Sequence, residues 1–227
     1  SGVELLNFII IDVTDALTAK DRLAEALKKV NAALEGAVEL VSKVVEARDP
    51  YTAGHQENVS KLATAIAEKL DLENDSVRSV RIAGLLHDVG KVSIPAEILS
   101  KPGKLTDLEW SLIKRHPVIG YEILRDVQLG GPIAEIVKDH HERINGTGYP
   151  EGLEGSEISL ESKIVAVADV VEAMVSHRPY RASKGLAEAI QEIEGNAGIL
   201  YDKEVVSACV DLIKSGFSFG RSYNSKF

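Results

Sequence analysis

Residues 85–95 read LLHDVGKVSIP, an apolar run that ends on a histidine and an aspartate, with a lysine shortly after them. Apolar residues at helical spacing fill residues 77–86, so His87 and Asp88 are predicted to enter the interior together. An unpaired charge buried there would cost several kcal/mol. A buried His–Asp hydrogen bond and a metal ion each remove this cost, and the pair alone does not choose between them.

The remaining histidines lie near other potential ligands, since all six fall between residues 55 and 177. His140 and His141 follow an apolar stripe over residues 133–137, which predicts that His140 points into the core. Two adjacent imidazoles repel each other when both are protonated, whereas binding of a divalent metal requires neutral rings and satisfies both. The second pair therefore favours a metal site.

A carboxylate also interrupts the apolar run IVAVADVVEAMV at residues 164–175, where Asp169 lies on a helix predicted to be buried on all sides. A purely structural role would require a buried arginine partner or several backbone donors, because aspartate is seldom fully buried without a partner. We expect Asp169 to be a metal ligand.

Together these residues supply five imidazoles and two carboxylates, more than one ion takes from protein. We therefore expect two divalent ions. With a bridging carboxylate, ions about 3.5–4 Å apart can hold a hydroxide and stabilise both oxygens of a phosphoryl transfer. Iron or manganese is the expected metal, and zinc, nickel and magnesium stay open. The predicted ligands are His55, His87, Asp88, His116, His140, His141 and Asp169.

Composition limits the possible partners. A net charge of −9 excludes a surface built to coat DNA or RNA, so a bound phosphate must meet a local positive pocket. The single cysteine, Cys209, excludes an intramolecular disulfide and a cysteine-based zinc site. The apolar run at residues 8–11 is too short to cross a membrane and lacks the flanks of a secretory signal. These observations predict a cytoplasmic protein without membrane contact.

The first part of the chain differs from the rest. Residues 1–20 resemble the last strand of a PAS-type sensor domain and the helix that leaves it, which implies a piece of a longer protein. A linker helix is predicted over residues 21–47 because its apolar positions alternate steps of four and three, as in a coiled coil. We expect a homodimer through this helix, the alternative being that the helix packs on its own domain. The apolar positions are Leu23, Leu27, Val30, Leu34, Ala37, Val41 and Val44.

After residue 50 the pattern is helical almost throughout, which predicts an all-α fold. Thr106 to Glu109 form a predicted capping box, and Pro132 is placed in the first turn of a helix. The glycine-rich residues 142–159 are predicted to be a loop. Helices are expected over residues 160–175, 183–194 and 202–215, and residues 217–227 are expected to be a flexible tail.

Five segments, taken in order over residues 48–210, resemble the HD-GYP family. They are RDPYTAGHQ at 48–56, LLHDVGKVSIP at 85–95, KPGKLT at 101–106, HHERINGTGYPEGLEG at 140–155 and ADVVEAMVSHRPYR at 168–181. The resemblance implies an HD-type helical bundle with additional helices over residues 48–216. It also implies hydrolysis of the bacterial second messenger cyclic di-GMP to linear pGpG and then GMP, as the output domain of a signalling protein.

The resemblance also assigns roles. It implies that Lys91 neutralises phosphate charge or assists the leaving oxygen, and that Arg178 and Arg181 contact the substrate. The GYP loop is expected to be structural or to dock a GGDEF-domain partner. One ion would be held by His55, His87, Asp88 and Asp169, and the other by His116, His140 and His141, with Asp88 bridging; the GYP loop is Gly148, Tyr149 and Pro150.

The chain departs from the family pattern at three positions. Tyr51 stands where many relatives have a glutamate that helps to bind a third ion, so two ions are predicted. Asn145 replaces a common aspartate, which removes a charge near the site, and Asn58 replaces a common arginine. None of these positions is a predicted ligand, so we expect an active enzyme. A non-hydrolytic receptor or GGDEF-binding module and a hydrolase of another cyclic dinucleotide, such as cyclic GMP-AMP, remain alternatives.

Overall fold

Helices form almost all of the regular structure in the computed structural model, which describes residues 14–48, 54–176 and 185–219. No β-strand occurs among these residues, so the predicted all-α class is confirmed. The helices are α1 (Thr14–Arg48), α2 (His55–Lys69), α3 (Asn74–Leu86), α4 (Ala96–Leu99), α5 (Asp107–Ile113), α6 (His116–Leu124), α7 (Ile133–Asp139), α8 (Leu160–Val175), α9 (Gly185–Gly195) and α10 (Lys203–Lys214), with short 3-10 helices at Val89–Ser93 and Gly155–Glu157.

The chain divides into two units, residues 1–37 and 38–227, and α1 begins in the first and ends in the second. Most of the predicted PAS-like segment, residues 1–13, lies outside the described residues. In the part of the chain that is described, no helix is long and apolar enough to span a membrane.

The second unit begins at Val38 and so includes the last turns of α1. Val38, Ser42 and Val45 are all buried and follow the spacing of one helix face. Val41 and Val44, which belong to the predicted coiled-coil positions, are exposed on the same helix. The end of α1 therefore packs on the domain through one set of residues and leaves the predicted dimer positions open.

The core of the second unit is built around α2, α3 and α8. Helix α2 packs against both α3 and α8, and α10 packs on α2 and α8. The buried face of α2 carries Val59, Leu62 and Ile66, which are fully inaccessible to solvent. Helix α8 is buried along most of its length, as its uninterrupted apolar sequence predicts.

A close backbone contact joins the 3-10 helix Val89–Ser93 to α6. A Cβ atom on Gly90 would lie 1.9 Å from the carbonyl oxygen of His116, so only glycine allows this approach. The contact brings the chain that follows Asp88 directly against the first turn of α6. Two segments that each carry a predicted ligand are thereby held together.

Most local predictions agree with the structure. The capping box of α5 is present. The Thr106 hydroxyl accepts from the backbone N–H of Glu109, and the Glu109 carboxylate accepts from the backbone N–H of Thr106. Helix α8 spans the predicted residues, and residues 142–159 form a loop apart from one 3-10 turn. Pro132 is the residue before α7 rather than part of its first turn, since Ile133 is the first helical residue. In the predicted tail, residues 220–227 lie outside the described part of the chain.

Candidate metal centre

The predicted ligands converge because most of them lie at helix ends that face one point. His55 is the first residue of α2, His116 is the first residue of α6, and His87 directly follows α3. His140 and His141 follow α7, and Asp169 lies within the buried helix α8. The structure therefore brings all seven predicted ligands into one cluster.

Three histidines of the cluster each make the same kind of local hydrogen bond. This bond determines which ring nitrogen carries the hydrogen. The Nδ1 atom of each donates to the backbone carbonyl three residues earlier. These bonds run from His87 to Gly84 at 2.8 Å, from His116 to Ile113 at 2.8 Å and from His140 to Val137 at 2.6 Å. Because a carbonyl oxygen only accepts, Nδ1 carries the hydrogen and Nε2 of the neutral ring presents a lone pair.

These Nε2 lone pairs lack hydrogen-bond donors. The Nε2 atom of His87 is buried and has no hydrogen-bond partner among the described residues. The Nε2 atoms of His116 and His140 lie 3.4 Å apart, although neither has a hydrogen to offer the other. A buried acceptor without a donor is costly, and a cation between the rings removes that cost.

Asp88 joins two groups of histidines through its two carboxylate oxygens. Its Oδ2 atom lies 3.5 Å from Nε2 of His87 and 3.9 Å from Nε2 of His55. Its Oδ1 atom lies 3.4 Å from Nε2 of His116. One oxygen thus faces each group, which is the arrangement that a bridging carboxylate requires.

Asp169 also faces both groups. Its Oδ1 atom lies 3.3 Å from Nε2 of His55 and 3.9 Å from Nε2 of His87, and its Oδ2 atom lies 3.9 Å from Nδ1 of His141. The resemblance assigns Asp169 to one ion only, whereas the structure gives it an oxygen towards each histidine group.

The ligand atoms fall into compact groups in which all atoms lie within 4.8 Å of one another. One group is His116, His140 and His141, the same set that the resemblance assigns to one ion. A second group is His55, His87 and Asp169, and a third joins His87 and His140 through Asp88. Imidazoles and carboxylates in this number fit two divalent transition-metal ions.

The electrostatics of the cluster favour neutral rings on one side and ionised carboxylates between them. Burial lowers the pKa of His116 to about 4 and that of His140 to about 3, and burial beside His140 also lowers the pKa of His141. Burial opposes ionisation of Asp88, but Lys91 and the histidines around it hold its pKa well below the usual range. His116, His140 and His141 are therefore neutral and Asp88 is ionised at neutral pH, which are the protonation states that bind metal.

Glu172 completes the site and was not predicted from the sequence. Its carboxylate accepts a short hydrogen bond from Nδ1 of His55, and it also accepts from Asn58 at 3.2 Å and from Ser176. Although burial lowers the pKa of His55, Asp169 and Glu172 raise it to about 9. Glu172 is buried, one helical turn after Asp169, and such a carboxylate orients a ligating histidine. In the sequence, the signal for Glu172 was its position three residues after Asp169 on the same predicted helix.

Lys91 lies beside the candidate metal cluster. Its Nζ atom donates to Oδ2 of Asp88 at 2.7 Å, and only 15% of its side chain is exposed. The predicted substrate residues Arg178 and Arg181 lie outside the described residues.

The GYP loop lies directly against the metal cluster. The ring of Tyr149 packs on the ring of His141, with 4.7 Å between the centroids, and the Tyr149 backbone N–H donates to the His141 carbonyl. A Cβ atom on Gly148 would lie 2.4 Å from Cα of Glu142, so the loop approaches the preceding segment too closely for a side chain.

Glu142 of the HHE motif holds the chain that follows this loop. Its buried carboxylate accepts from the backbone N–H groups of Glu151 at 2.7 Å, Gly152 at 3.1 Å and Leu153 at 3.1 Å. Asn145 accepts from the backbone and hydroxyl of Thr147, a turn that needs no negative charge. The loop is therefore anchored despite the asparagine.

Comparison with known proteins identifies the family of the chain. The profile of the family described as HD domain matches residues 39–205. The cyclic di-GMP phosphodiesterase response regulator RpfG of Xanthomonas campestris pv. campestris is 40% identical over 206 residues, which cover 88% of this chain and 53% of that protein. A cyclic di-GMP phosphodiesterase of Thermotoga maritima is 45% identical over 182 residues, covering 78% of this chain and 49% of that protein. The chain thus spans about half the length of these relatives.

A solved structure gives the same fold. The cyclic GMP-AMP specific phosphodiesterase V-cGAP3 of Vibrio cholerae superposes with a TM-score of 0.52 and 33% identity, covering 81% of this chain and 41% of that one. The matched profile covers the segments that carry the histidines, Asp88, Asp169 and the GYP loop. The chain belongs to the HD domain family and, within it, to the HD-GYP proteins.

Proposed function

We propose that this chain is a metal-dependent phosphodiesterase that hydrolyses cyclic di-GMP to pGpG, GMP or both, as the output domain of a bacterial signalling protein. The observation that carries the proposal is the position of Asp88, whose two oxygens face different histidine groups while Lys91 contacts one of them. This arrangement suits a centre that acts on a phosphodiester. The names of the two relatives from Xanthomonas campestris and Thermotoga maritima support the choice of substrate.

The proposed centre holds two divalent ions, with iron or manganese expected. His55, His87 and Asp169 would hold one ion, His116, His140 and His141 the other, and Asp88 would bridge them. When bound, the ions supply Lewis-acid activation of water and of the phosphodiester oxygens.

The side chains of the protein control the charge around the phosphate. Hydrolysis adds water to phosphorus as the bond from phosphorus to the 3′ oxygen breaks, and the leaving oxygen takes a proton. Lys91 places an ammonium group at this centre, where it stabilises negative charge that develops in the transition state. Glu172 holds the ring of His55, and Tyr149 covers the ring of His141.

The experiment is anaerobic reconstitution with Fe²⁺ or Mn²⁺ followed by chromatography of the products from cyclic di-GMP. We expect pGpG to form with metal, and we expect His87→Ala with Asp88→Ala to abolish both metal binding and turnover. Lys91→Met is the matched variant, because it should keep the metals and lose turnover. Tight binding of uncut nucleotide by the metal-loaded wild type would instead support a receptor.

A second substrate, cyclic GMP-AMP, is favoured by one observation. V-cGAP3 is named for that substrate and is 33% identical to this chain over the part that superposes, which is 41% of the V-cGAP3 chain. Parallel turnover measurements on the two nucleotides distinguish the candidates, since the ratio of kcat/KM values measures discrimination directly. We expect the larger value for cyclic di-GMP.

We also propose that the chain forms a homodimer through residues 21–47. In the single chain Leu23, Leu27 and Val30 are 70%, 59% and 64% exposed. A coiled coil with a second copy would bury these apolar side chains. Leu27→Glu with Leu34→Glu should convert a dimer into a monomer in sedimentation. Ala32→Glu, which adds charge away from these positions, should leave the dimer intact. A wild-type monomer at high concentration would contradict the proposal.

Two further predictions belong to this proposal. A GGDEF-domain partner would dock at the GYP loop, next to Tyr149. A cytoplasmic location rests on the use of a single cysteine.

A further inference from the structure

The N-terminus of α2 is capped by a residue from another helix. Gly54, the residue before α2, has φ 78° and no side chain with which to cap the helix. Its backbone N–H instead donates to Oε1 of Glu46 in α1 at 3.0 Å, and the backbone N–H of Gln56 also bonds to this carboxylate. Glu46 therefore supplies both the acceptor and the negative charge that a helix N-terminus favours.

Glu46 is held in place by the packing of its own helix. Val38, Ser42 and Val45 are buried in the second unit, and Glu46 lies four residues after Ser42 on the same side of α1. The burial of these three residues thus holds in place the turn of α1 that carries the half-buried Glu46 side chain.

The residue between the two capped N–H groups is His55. Its backbone is held from α1 through Gly54 and Gln56, and its ring is held from α8 by Glu172. Nε2 of the ring then lies 3.3 Å from Asp169. Displacement of the capped turn moves the imidazole relative to Asp169, because His55 is the first residue of the helix.

We propose that Glu46 is a positioning residue for His55, through which α1 acts on the metal centre. The inference deepens the proposed function, since it concerns control of the same site and takes His55 as a metal ligand. A change in the packing of α1 reaches the centre by weakening this cap. The linker helix is thereby connected, through the backbone of His55, to one of the two proposed ions.

The test measures local order and metal affinity rather than turnover alone. In the metal-free protein, Glu46→Ala should accelerate amide hydrogen exchange at residues 54–57 by about tenfold, the effect of a lost cap. In a calorimetric titration with Mn²⁺, it should weaken one of two binding events by about tenfold and leave the other unchanged. Glu46→Gln keeps an acceptor oxygen and should show a smaller change in both measurements.

Glu39→Ala is the matched control, because Glu39 is an exposed glutamate on the same helix. It should behave as wild type in both measurements. Wild-type exchange and wild-type Mn²⁺ affinity in Glu46→Ala would overturn the inference, and if that variant does not fold, the same outcome in Glu46→Gln would overturn it. Failure of the proposed function can be told apart from failure of this inference. A chain that binds Mn²⁺ but does not cut cyclic di-GMP would still show the effect of Glu46→Ala on hydrogen exchange and on Mn²⁺ affinity.

Discussion

The Nε2 atoms of His116 and His140 lie 3.4 Å apart, and neither carries a hydrogen because each ring donates through Nδ1 to a backbone carbonyl. Two lone pairs facing each other in the interior repel unless a cation lies between them. The two histidines are 24 residues apart in the sequence, so the fold as a whole produces this arrangement.

Removal of the negative charge from Asp88 should disrupt both ion sites, because its oxygens face both histidine groups. We expect Asp88→Asn to bind fewer than two Mn²⁺ ions per chain and to lose at least about 100-fold in turnover. Metal analysis after desalting, with circular dichroism as a check on folding, measures the change. Asp126→Asn, at an exposed aspartate, is the control; two tightly bound ions in Asp88→Asn would argue against a bridge.

Lys91 should affect chemistry without affecting metal content. Lys91→Met removes an ammonium group at 2.7 Å from Asp88 but no predicted ligand. We expect two bound ions and a fall of about 100-fold in kcat, the size of effect seen when a group that stabilises transition-state charge is removed. Steady-state kinetics on cyclic di-GMP makes the measurement, and Lys61→Met is the exposed control. An unchanged kcat would remove Lys91 from the mechanism.

Metal binding should release a proton from His55. In the metal-free protein Asp169 and Glu172 raise the pKa of His55 to about 9, so this ring is protonated at neutral pH and must lose its proton to become a ligand. We expect release of about one proton per chain near pH 7.5, and less release above pH 9. Calorimetry in two buffers of different ionisation enthalpy gives the number.

The raised pKa of His55 also makes the stability of the metal-free protein depend on pH. Since the folded pKa lies above the unfolded value, the contribution of His55 to stability is fully present below about pH 6.5 and is lost as the pH rises through about 9. Metal affinity should change in the opposite direction over this range, with tighter binding at higher pH. Metal binding without proton release near pH 7.5 would contradict the assigned protonation of His55.

Glu142 should stabilise the GYP loop rather than the metals. The two carboxylate oxygens of Glu142 accept from three backbone N–H groups. Glu142→Gln has only one acceptor oxygen, so at least one of these N–H groups loses its acceptor. We expect a loss of about 1–3 kcal/mol in the free energy of unfolding, measured by chemical denaturation. Glu122→Gln, at an exposed glutamate, should change stability by less than about 0.5 kcal/mol. Equal stability of the two variants would mean that the loop does not depend on this anchor.

Gly90 should be required for the contact between Asp88 and His116. The new Cβ atom of Gly90→Ala would lie 1.9 Å from the His116 carbonyl oxygen, so the 3-10 helix and α6 must separate. We expect a loss of at least about 1–3 kcal/mol in stability together with weaker metal binding. Gly195→Ala, where a Cβ meets nothing within 4 Å, is the control. Normal metal affinity in Gly90→Ala would show that the close approach is not needed for the site.

The helical class and the candidate ligands could be predicted from the sequence because their signals are local. The capping box of α5 is decided within four residues, and the buried position of Asp169 follows from the apolar residues around it. Each of these signals depends only on neighbours along the chain. The structure brings the ligands together as the resemblance implied, and the division of Asp169 between two groups is the exception.

Contacts between distant segments could not be read in this way. His55 and Glu172 are 117 residues apart, and the order in which α2 and α8 pack determines their contact. The burial of Val38 and Val45 likewise depends on packing of α1 within the second unit, whereas the heptad pattern at neighbouring positions leaves open both a coiled coil and packing on the same domain. Periodicity identifies an apolar face but does not identify what covers it.

A crystal structure of the Mn²⁺-loaded protein, with anomalous difference maps, tests the proposed binuclear centre most directly. We predict two anomalous peaks, one beside His55, His87 and Asp169 and the other beside His116, His140 and His141, with Asp88 in contact with both. A single peak at full occupancy, or two peaks of which only one contacts Asp88, would contradict the bridged two-metal centre.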